Sequence, residues 1–344
     1  MRQVAQVGCG YWGPNLLRNL VSIPDCRVKW VVETAPDRAH YVTANFKESK
    51  VTDNLEDVLS DPAVSAVVVA TPAATHKEIV LKALNAGKHV LVEKPLALNV
   101  PDAEEILLAA KKNGLVLMAG HTFLFNAAVG YLAEVLKWDQ LGKLFYIYAQ
   151  RLNLGRVRAD VNAWWNLAPH DVSILLHLLG GEEPEKVNAV GMEYIQPGVE
   201  DVVFATLTWP NKVIANIQVS WLDPNKVRRM TFVGSQKMAE FDDVADNKIT
   251  IFDHGVDKIR LGGEMDFDDK TFFQLKHRKG DVVSPFIEMK EPLRAELEHF
   301  LDCIENGKTP LTDAKHALSV VRVMSAVEKS YKNGGVTVEL ADHR

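Results

Sequence analysis

Residues 3–20, QVAQVGCGYWGPNLLRNL, decide the fold. An apolar run, Val4–Val7, leads straight into three glycines, Gly8, Gly10 and Gly13. The chain then takes helical spacing, with Leu16, Leu17 and Leu20 on one stripe. Strand, glycine turn and helix in that order make a βα unit. Gly8 suits the tight turn, Gly10 lets a ligand approach the backbone, and Gly13 allows the helix to pack close to the strand. Pro14 fits the first helical turn, and the free N–H groups of that turn face any anion lying over the glycines. GxGxxG alone also fits a plain glycine-rich turn. Here it follows the first strand, opens a helix, and is followed by Glu33 at the end of the second apolar run, about 20 residues on. A carboxylate at that spacing holds a ribose diol, so the motif predicts a dinucleotide. Glu33 would repel a 2′-phosphate, which favours NAD over NADP; Arg38 lies near enough to weaken the preference.

The same rhythm continues outward. Val-rich runs at 27–33, 63–71, 88–94 and 114–120 read as strands buried on both faces. Between them, 14–21, 75–86 and 101–112 have helical spacing, the last opening on Asn99, Pro101 and Asp102. This alternation predicts a parallel, doubly wound sheet. After Gly120 the pattern changes. Residues 129–136 read as a helix and 144–152 as a strand. An apolar helix follows at 172–179, then strands at 186–194, 202–209, 213–221, 227–234, 238–242 and 247–252. Short turns between those strands predict an antiparallel sheet. Residues 258–285 read as loop and edge strand; 292–306 and 313–332 read as helices. The expected fold class is α/β: a Rossmann domain over 1–121, then an α+β domain over 122–344 with an open, mostly antiparallel sheet.

Composition narrows the functions. The chain has 344 residues, 47% hydrophobic and 24% charged, with a net charge of −6. A largely disordered chain is excluded, and no basic excess exists to bind nucleic acid or anionic lipid. Cys9, Cys26 and Cys303 are odd in number and far apart, which argues against a disulfide framework or a thiolate zinc site. No HExxH and no other metal-ligand spacing occurs, so no metal is expected. The longest uncharged stretch, 62–75, is too short to span a bilayer. The expectation is a cytoplasmic enzyme without membrane or nucleic-acid partners.

Two segments carry candidate chemistry. Glu93-Lys94-Pro95 ends a predicted strand, and ligands of such sheets bind outside those ends. Trp164-Trp165-Asn166-Leu167-Ala168-Pro169-His170-Asp171 leads into the helix at 172–179, which puts His170 in a loop before that helix or at its start, where it can act as a base. His177 reads as packing. Trp164 and Trp165 fit either core or a surface that stacks on a sugar or nicotinamide. Arg151, Asn153, Arg156, Arg158 and Asn162, upstream of His170, form a positive stretch suited to phosphate or carboxylate.

The chain resembles the glucose–fructose oxidoreductase, inositol dehydrogenase and rhizopine-catabolism (Gfo/Idh/MocA) family. The matching residues are GCGYWG at 8–13, ATPAATH at 70–76, AGKHVLVEKPLAL at 86–98, GHTFLFNAAV at 120–129, APHDVSILLHLLG at 168–180 and LRAELEHFLDCIENGKTPLT at 293–312. The stretch RLNLGRVRADVNAWWNLAPHD is most similar to nucleotide-sugar dehydrogenases, which oxidise the 3-hydroxyl of UDP-N-acetylglucosamine or its uronic acid. The resemblance implies a second-domain sheet whose face pairs subunits into dimers or tetramers. It implies a dinucleotide lined by Gly8, Gly10, Tyr11, Trp12, Gly13, Glu33, Thr71, Pro72, His76, Glu93 and Lys94. It also implies that Lys94 and His170 are catalytic, with Asn126, Arg151, Asn153, Arg158 and Asn166 towards the substrate. Members commonly carry Asp where this chain has Asn166, so negative charge beside His170 is reduced. The expected reaction passes a hydride from a sugar carbon to NAD, His170 taking the hydroxyl proton and Lys94 polarising the oxygen. A free-sugar or inositol dehydrogenase, a 3-ketosugar reductase and a non-catalytic NAD sensor are the alternatives.

Overall fold

A computed structural model describes residues 2–155, 157–261 and 272–340. Its first sheet contains β1 (Arg2–Val7), β2 (Cys26–Val32), β3 (Lys50–Thr52), β4 (Ala66–Val69), β5 (His89–Glu93) and β6 (Leu117–Gly120). All neighbours are parallel, in the order β3-β2-β1-β4-β5-β6. The strand order reverses between β1 and β4, the switch point outside which a doubly wound sheet binds ligands. Crossovers are made by α1 (Gly13–Ser22), α2 (Pro36–Asn45), α3 (Glu56–Leu59), α4 (His76–Asn85) and α5 (Val100–Asn113). Ala66–Val69 and Val90–Val92 are fully buried, as their unbroken apolar runs require. Helix α5 starts where its polar residues direct it: the Asn99 side chain accepts the Asp102 N–H at 2.9 Å. Strand β3 has three residues, too few to carry a pattern, and the sequence gives no warning of it.

By packing, Met1–Ala127, Pro169–Glu183 and Met289–Lys329 form one compact unit; Ala128–Ala168, Pro184–Glu288 and Ser330–Arg344 form another. The second unit opens on α6 (Ala127–Lys137) and is built on a second sheet. Its strands are β7 (Leu144–Leu152), β8 (Lys186–Met192), β9 (Val202–Thr208), β10 (Ile214–Ser220), β11 (Val227–Gly234), β12 (Met238–Asp242), β13 (Ile249–Leu261), β14 (Phe272–Val283) and β15 (Val338–Glu339). Their order is β14-β13-β12-β11-β7-β10-β9-β8-β15, antiparallel except for the β7–β10 pair. One face buries Ile147, Ala149, Ala205, Ile217, Phe232 and Phe241. The other leaves Tyr146, Val190, Phe204 and Ile214 exposed. Residues 258–285, expected as loop and edge strand, contribute to two long antiparallel strands, β13 and β14, with β14 at the edge of the sheet; residues 262–271 lie outside the described residues. Beyond Ile249, the described side chains of both strands are exposed or half-buried, so no apolar alternation betrays them.

Helix α7 (Ala163–Leu178) corrects the sequence expectation. It begins nine residues before the expected Val172 and contains Pro169, so His170 sits inside a helix rather than in a loop. The start is fixed by Asn162, whose Oδ1 accepts the Trp165 N–H at 3.0 Å. Pro169 removes one internal hydrogen bond. Burial of Trp164, Ala168, Val172 and Leu175 along one stripe outweighs that loss. Within the first unit, α8 (Pro292–Asn306) packs Leu293, Leu297, Phe300 and Leu301 into the core shared with α1, β1 and β2. Helix α9 (Ala314–Lys332) follows.

Candidate active site

The three glycines differ physically. Gly8 has φ +90°, and a Cβ there would meet Ala70 O at 2.8 Å and Thr71 Cγ2 at 2.9 Å. A Cβ on Gly13 would meet Gly8 O at 2.8 Å and Gln6 Nε2 at 3.0 Å. Around Gly10 a Cβ would meet nothing within 4 Å, so this backbone is open to a ligand. Gln6, fully buried, braces the turn: its Nε2 donates to Gly8 O at 2.9 Å and Gly13 O at 3.0 Å. The sequence reading passed over Gln6. A polar side chain pointing inward from an otherwise apolar strand was the available signal.

At the end of β2, Glu33 Oε2 accepts the Cys9 N–H at 2.6 Å and Oε1 accepts the Ala35 N–H at 2.9 Å. The carboxylate is thereby fixed beside the glycine turn. Burial, helped by the Glu33 charge, pushes the Cys9 thiol up to about 11, so it stays protonated. Cys26 and Cys303 are likewise buried and free.

A second group gathers where β4, β5 and β6 end. His76, 1% exposed, faces Thr71 O through Nε2 at 3.0 Å and Pro95 O through Nδ1 at 2.8 Å. It therefore ties the Thr71–Pro72 turn to the Lys94–Pro95 peptide, which is cis. Burial and the nearby Lys94 ammonium lower the proton affinity of His76 despite the two carbonyls, and a neutral ring can donate to only one of them. Glu93 packs against Gly120, where a Cβ would lie 3.1 Å from Glu93 Oε2, and it accepts the Trp12 indole N–H. Burial pushes Glu93 up to about 7 against the opposing pull of Lys94.

Immediately after β6, Thr122 donates to Glu296 Oε2 at 2.7 Å, and the Phe123 ring lies 4.9 Å from the His170 ring. His121 is buried, within electrostatic reach of Lys94, and makes an edge contact with His316 at 5.5 Å. Ser173, one turn after His170, bonds His316 Nε2 at 2.8 Å. Within the first unit, Glu93 packs on Gly120, His170 packs on Phe123 three residues further along the same segment, and Lys94 acts on Glu93, His76 and His121. Asn126 is buried nearby in sequence, its N–H bonded to Phe123 O at 3.1 Å. Tyr11, beside Gly10, is exposed.

The remaining candidates lie in the second unit. Arg151 is buried on β7, and Asn153 N–H bonds Ser220 O at 3.2 Å. Arg158 forms a two-pronged ion pair with Asp160, at 2.8 and 2.5 Å. Asn162 donates to Glu200 and Tyr331 while capping α7, which gives it structural work. Asn166 Oδ1 accepts the Trp221 indole N–H at 3.2 Å. Trp164 and Trp165 are both core. Arg156 lies outside the described residues.

Comparison with known proteins adds identity to this geometry. Residues 2–121 match the oxidoreductase family model with an NAD-binding Rossmann fold, and residues 131–240 match the Gfo/Idh/MocA C-terminal domain model. The chain belongs to the Gfo/Idh/MocA family. It is an NAD(P)-dependent oxidoreductase, with NAD the main cofactor. Scyllo-inositol 2-dehydrogenase (NAD(+)) of Bacillus subtilis is 25% identical over 342 residues, covering 96% of this chain and 94% of that protein. The UDP-N-acetylglucosamine 3-dehydrogenase structure from Acidithiobacillus ferrooxidans superposes with a TM-score of 0.77 at 25% identity, covering 96% of this chain and 98% of that one. The 2,7-anhydro-N-acetylneuraminate hydratase of Escherichia coli is 29% identical over 227 residues, 62% of this chain and 60% of that protein. NAD fits the residues present: an unobstructed Gly10 backbone, the N–H groups of a helical first turn and a carboxylate at the end of β2. No helix among the described residues is long and apolar enough to cross a membrane.

Proposed function

We propose that this protein oxidises a secondary hydroxyl of a sugar, the 3-hydroxyl of a UDP-N-acetylhexosamine or its uronic acid, with NAD as hydride acceptor. One observation carries the reading. Lys94 directly follows β5, and His170 packs on Phe123 in the turn after β6, the strand paired with β5, so both are carried by neighbouring strand ends on the ligand-binding side of the sheet. Bound NAD supplies the acceptor for the hydride that leaves the sugar carbon. His170 removes the hydroxyl proton, and Lys94 donates a hydrogen bond to the same oxygen as negative charge develops there. Gly8, Gly10, Gly13, Trp12, Thr71, Pro72 and Glu93 line the dinucleotide, Glu33 holds the ribose hydroxyls, and His76 supports Thr71 from behind. Arg151, Asn153, Arg158, Asn126 and Asn166 serve the substrate, with Arg158 exchanging Asp160 for an anionic group.

The A. ferrooxidans 3-dehydrogenase supports the nucleotide-sugar assignment, alongside the arginine-bearing stretch 151–158. The B. subtilis relative, matched along nearly the whole chain, favours a second reading, an inositol or free-sugar dehydrogenase. Subunit pairing through the exposed face of the second sheet, with Tyr146, Val190, Phe204 and Ile214, completes the proposal of a cytoplasmic homodimer or homotetramer. The test follows nicotinamide reduction with NAD and NADP against UDP-sugars, free sugars and inositols. Turnover of UDP-sugars is expected, and turnover of inositols alone selects the second reading. Lys94→Ala and His170→Ala should each cost roughly 10²–10⁴ in kcat with NADH affinity retained. Wild-type rates in both variants refute the roles assigned.

A further inference from the structure

Helix α8 sends one acid to a place meant for an apolar side chain. Leu293, Leu297, Phe300 and Leu301 form its buried stripe, and Glu296, on the same stripe, is 0% exposed. Its Oε2 accepts the Thr122 hydroxyl at 2.7 Å, while its Oε1 is buried with no hydrogen-bond partner. Glu93 shows the same pattern: Trp12 and the Lys94 N–H serve the carboxylate, yet Oε1 is buried with no partner. The two acids are within electrostatic reach of each other. Thr122 belongs to the turn that follows Gly120, and Gly120 packs on Glu93. Two buried acids that each keep an acceptor oxygen without a donor are expensive as two carboxylates, and a proton on one of them removes the repulsion and turns one of its oxygens into a donor.

We propose that Glu93 and Glu296 hold one proton between them, Glu296 standing as the neutral acid, and that Glu296 is thereby a positioning residue for the segment carrying Lys94. The pair then carries one negative charge, on Glu93, the acid that feels the Lys94 ammonium. Among the described residues, the charged groups acting on the pair are Lys94 on Glu93 and Glu93 on Glu296; Thr122 and Trp12 supply neutral hydrogen bonds. Burial raises both acids, Glu296 the further, which agrees in direction. The importance of the pair for turnover rests on the role proposed for Lys94; the shared proton does not.

The experiment therefore uses neither NAD nor substrate. Infrared difference spectra at about pH 8, where ordinary carboxyls are ionised, should show a protonated-carboxyl stretch in the wild-type protein. That band should vanish in Glu296→Gln and persist in Glu93→Gln. The ionisation of Glu93 is followed separately by Trp12 fluorescence, as the pH-dependent difference between wild type and Trp12→Phe. Its midpoint should stay within about half a unit in Glu296→Gln, whose amide still donates, and rise by about one unit or more in Glu296→Leu. No band in the wild type, or a band kept in Glu296→Gln, overturns the proposal. So does a midpoint that falls by more than about one unit in Glu296→Gln, because Glu296 then carried charge. If Glu296→Gln does not fold, the wild-type and Glu93→Gln spectra alone decide. A persistent band together with normal turnover of Lys94→Ala would sink the functional reading and leave the acid pair standing.

Discussion

Replacing Gly10 and Gly13 by alanine should separate ligand binding from folding. A Cβ at position 13 must sit 2.8 Å from Gly8 O and 3.0 Å from Gln6 Nε2, and the first of these is backbone that cannot swing aside. Overpacking of this kind costs about 1–3 kcal/mol. For a unit of this size each kcal/mol shifts Tm by ~2–4 °C, so Gly13→Ala should melt roughly 2–12 °C lower. At position 10 the added methyl meets nothing, so stability should change by less than about 0.5 kcal/mol. Under the proposed cofactor placement, that methyl would stand where the pyrophosphate approaches the backbone. NADH affinity, read by fluorescence enhancement of the bound nucleotide, should fall at least about tenfold, or roughly 1.4 kcal/mol. Calorimetry and the binding titration are run on the same preparations. Equal melting losses in the two variants, or undiminished NADH affinity in Gly10→Ala, would refute the assignment of these glycines.

Glu33→Ala should lower NAD affinity and shrink the preference over NADP about tenfold, measured as the ratio of the two dissociation constants; an unchanged ratio removes Glu33 from the ribose site. Asn166→Asp adds negative charge one helical turn before His170, so the acid limb of the pH–rate profile should move to higher pH, and an unmoved limb means the position is uncoupled from the base. Glu93, raised to about 7 when folded from 4.5, binds an extra proton only in the native state between those values, so its contribution to stability falls as pH rises through that window. Glu93→Gln should accordingly gain on the wild type by about 2–3 kcal/mol between pH 5 and 8 in urea titrations, and a pH-independent difference would contradict a Glu93 that loses its proton only near pH 7.

Much of this architecture is legible in the chain because its local signals agree. The strands over 66–69 and 89–93 announce themselves by unbroken apolar runs, and α5 by its start at Asn99, Pro101 and Asp102. Helix α7 escaped because two local rules conflict. Pro169 argues for a boundary, while the stripe Trp164, Ala168, Val172 and Leu175 argues for continuity, and burial decides for the stripe. Nor does any local pattern say that 169–183 and 289–329 pack with the first 127 residues, since that is a property of distant apolar faces finding one another.

The candidate site divides along the same line. Residues tied to a local turn are the more legible: Gly8 and Gly13 have the tight turn and close packing that their spacing predicts, and Glu33 is held at the end of β2 by the Cys9 and Ala35 N–H groups. Residues that act by burial do not advertise themselves: Gln6 and Glu296 look like ordinary polar residues until the neighbouring oxygens are known. A carboxyl on the apolar stripe of an amphipathic helix is nonetheless a readable anomaly, because ionising it there costs several kcal/mol unless a proton or a cation is supplied. Thr122 supplies only a hydroxyl, and the charge acting on Glu296 is the acid of Glu93. The remaining way to satisfy both acids is a proton, and that gives the Glu93–Lys94 segment a support that no motif in the chain spells out.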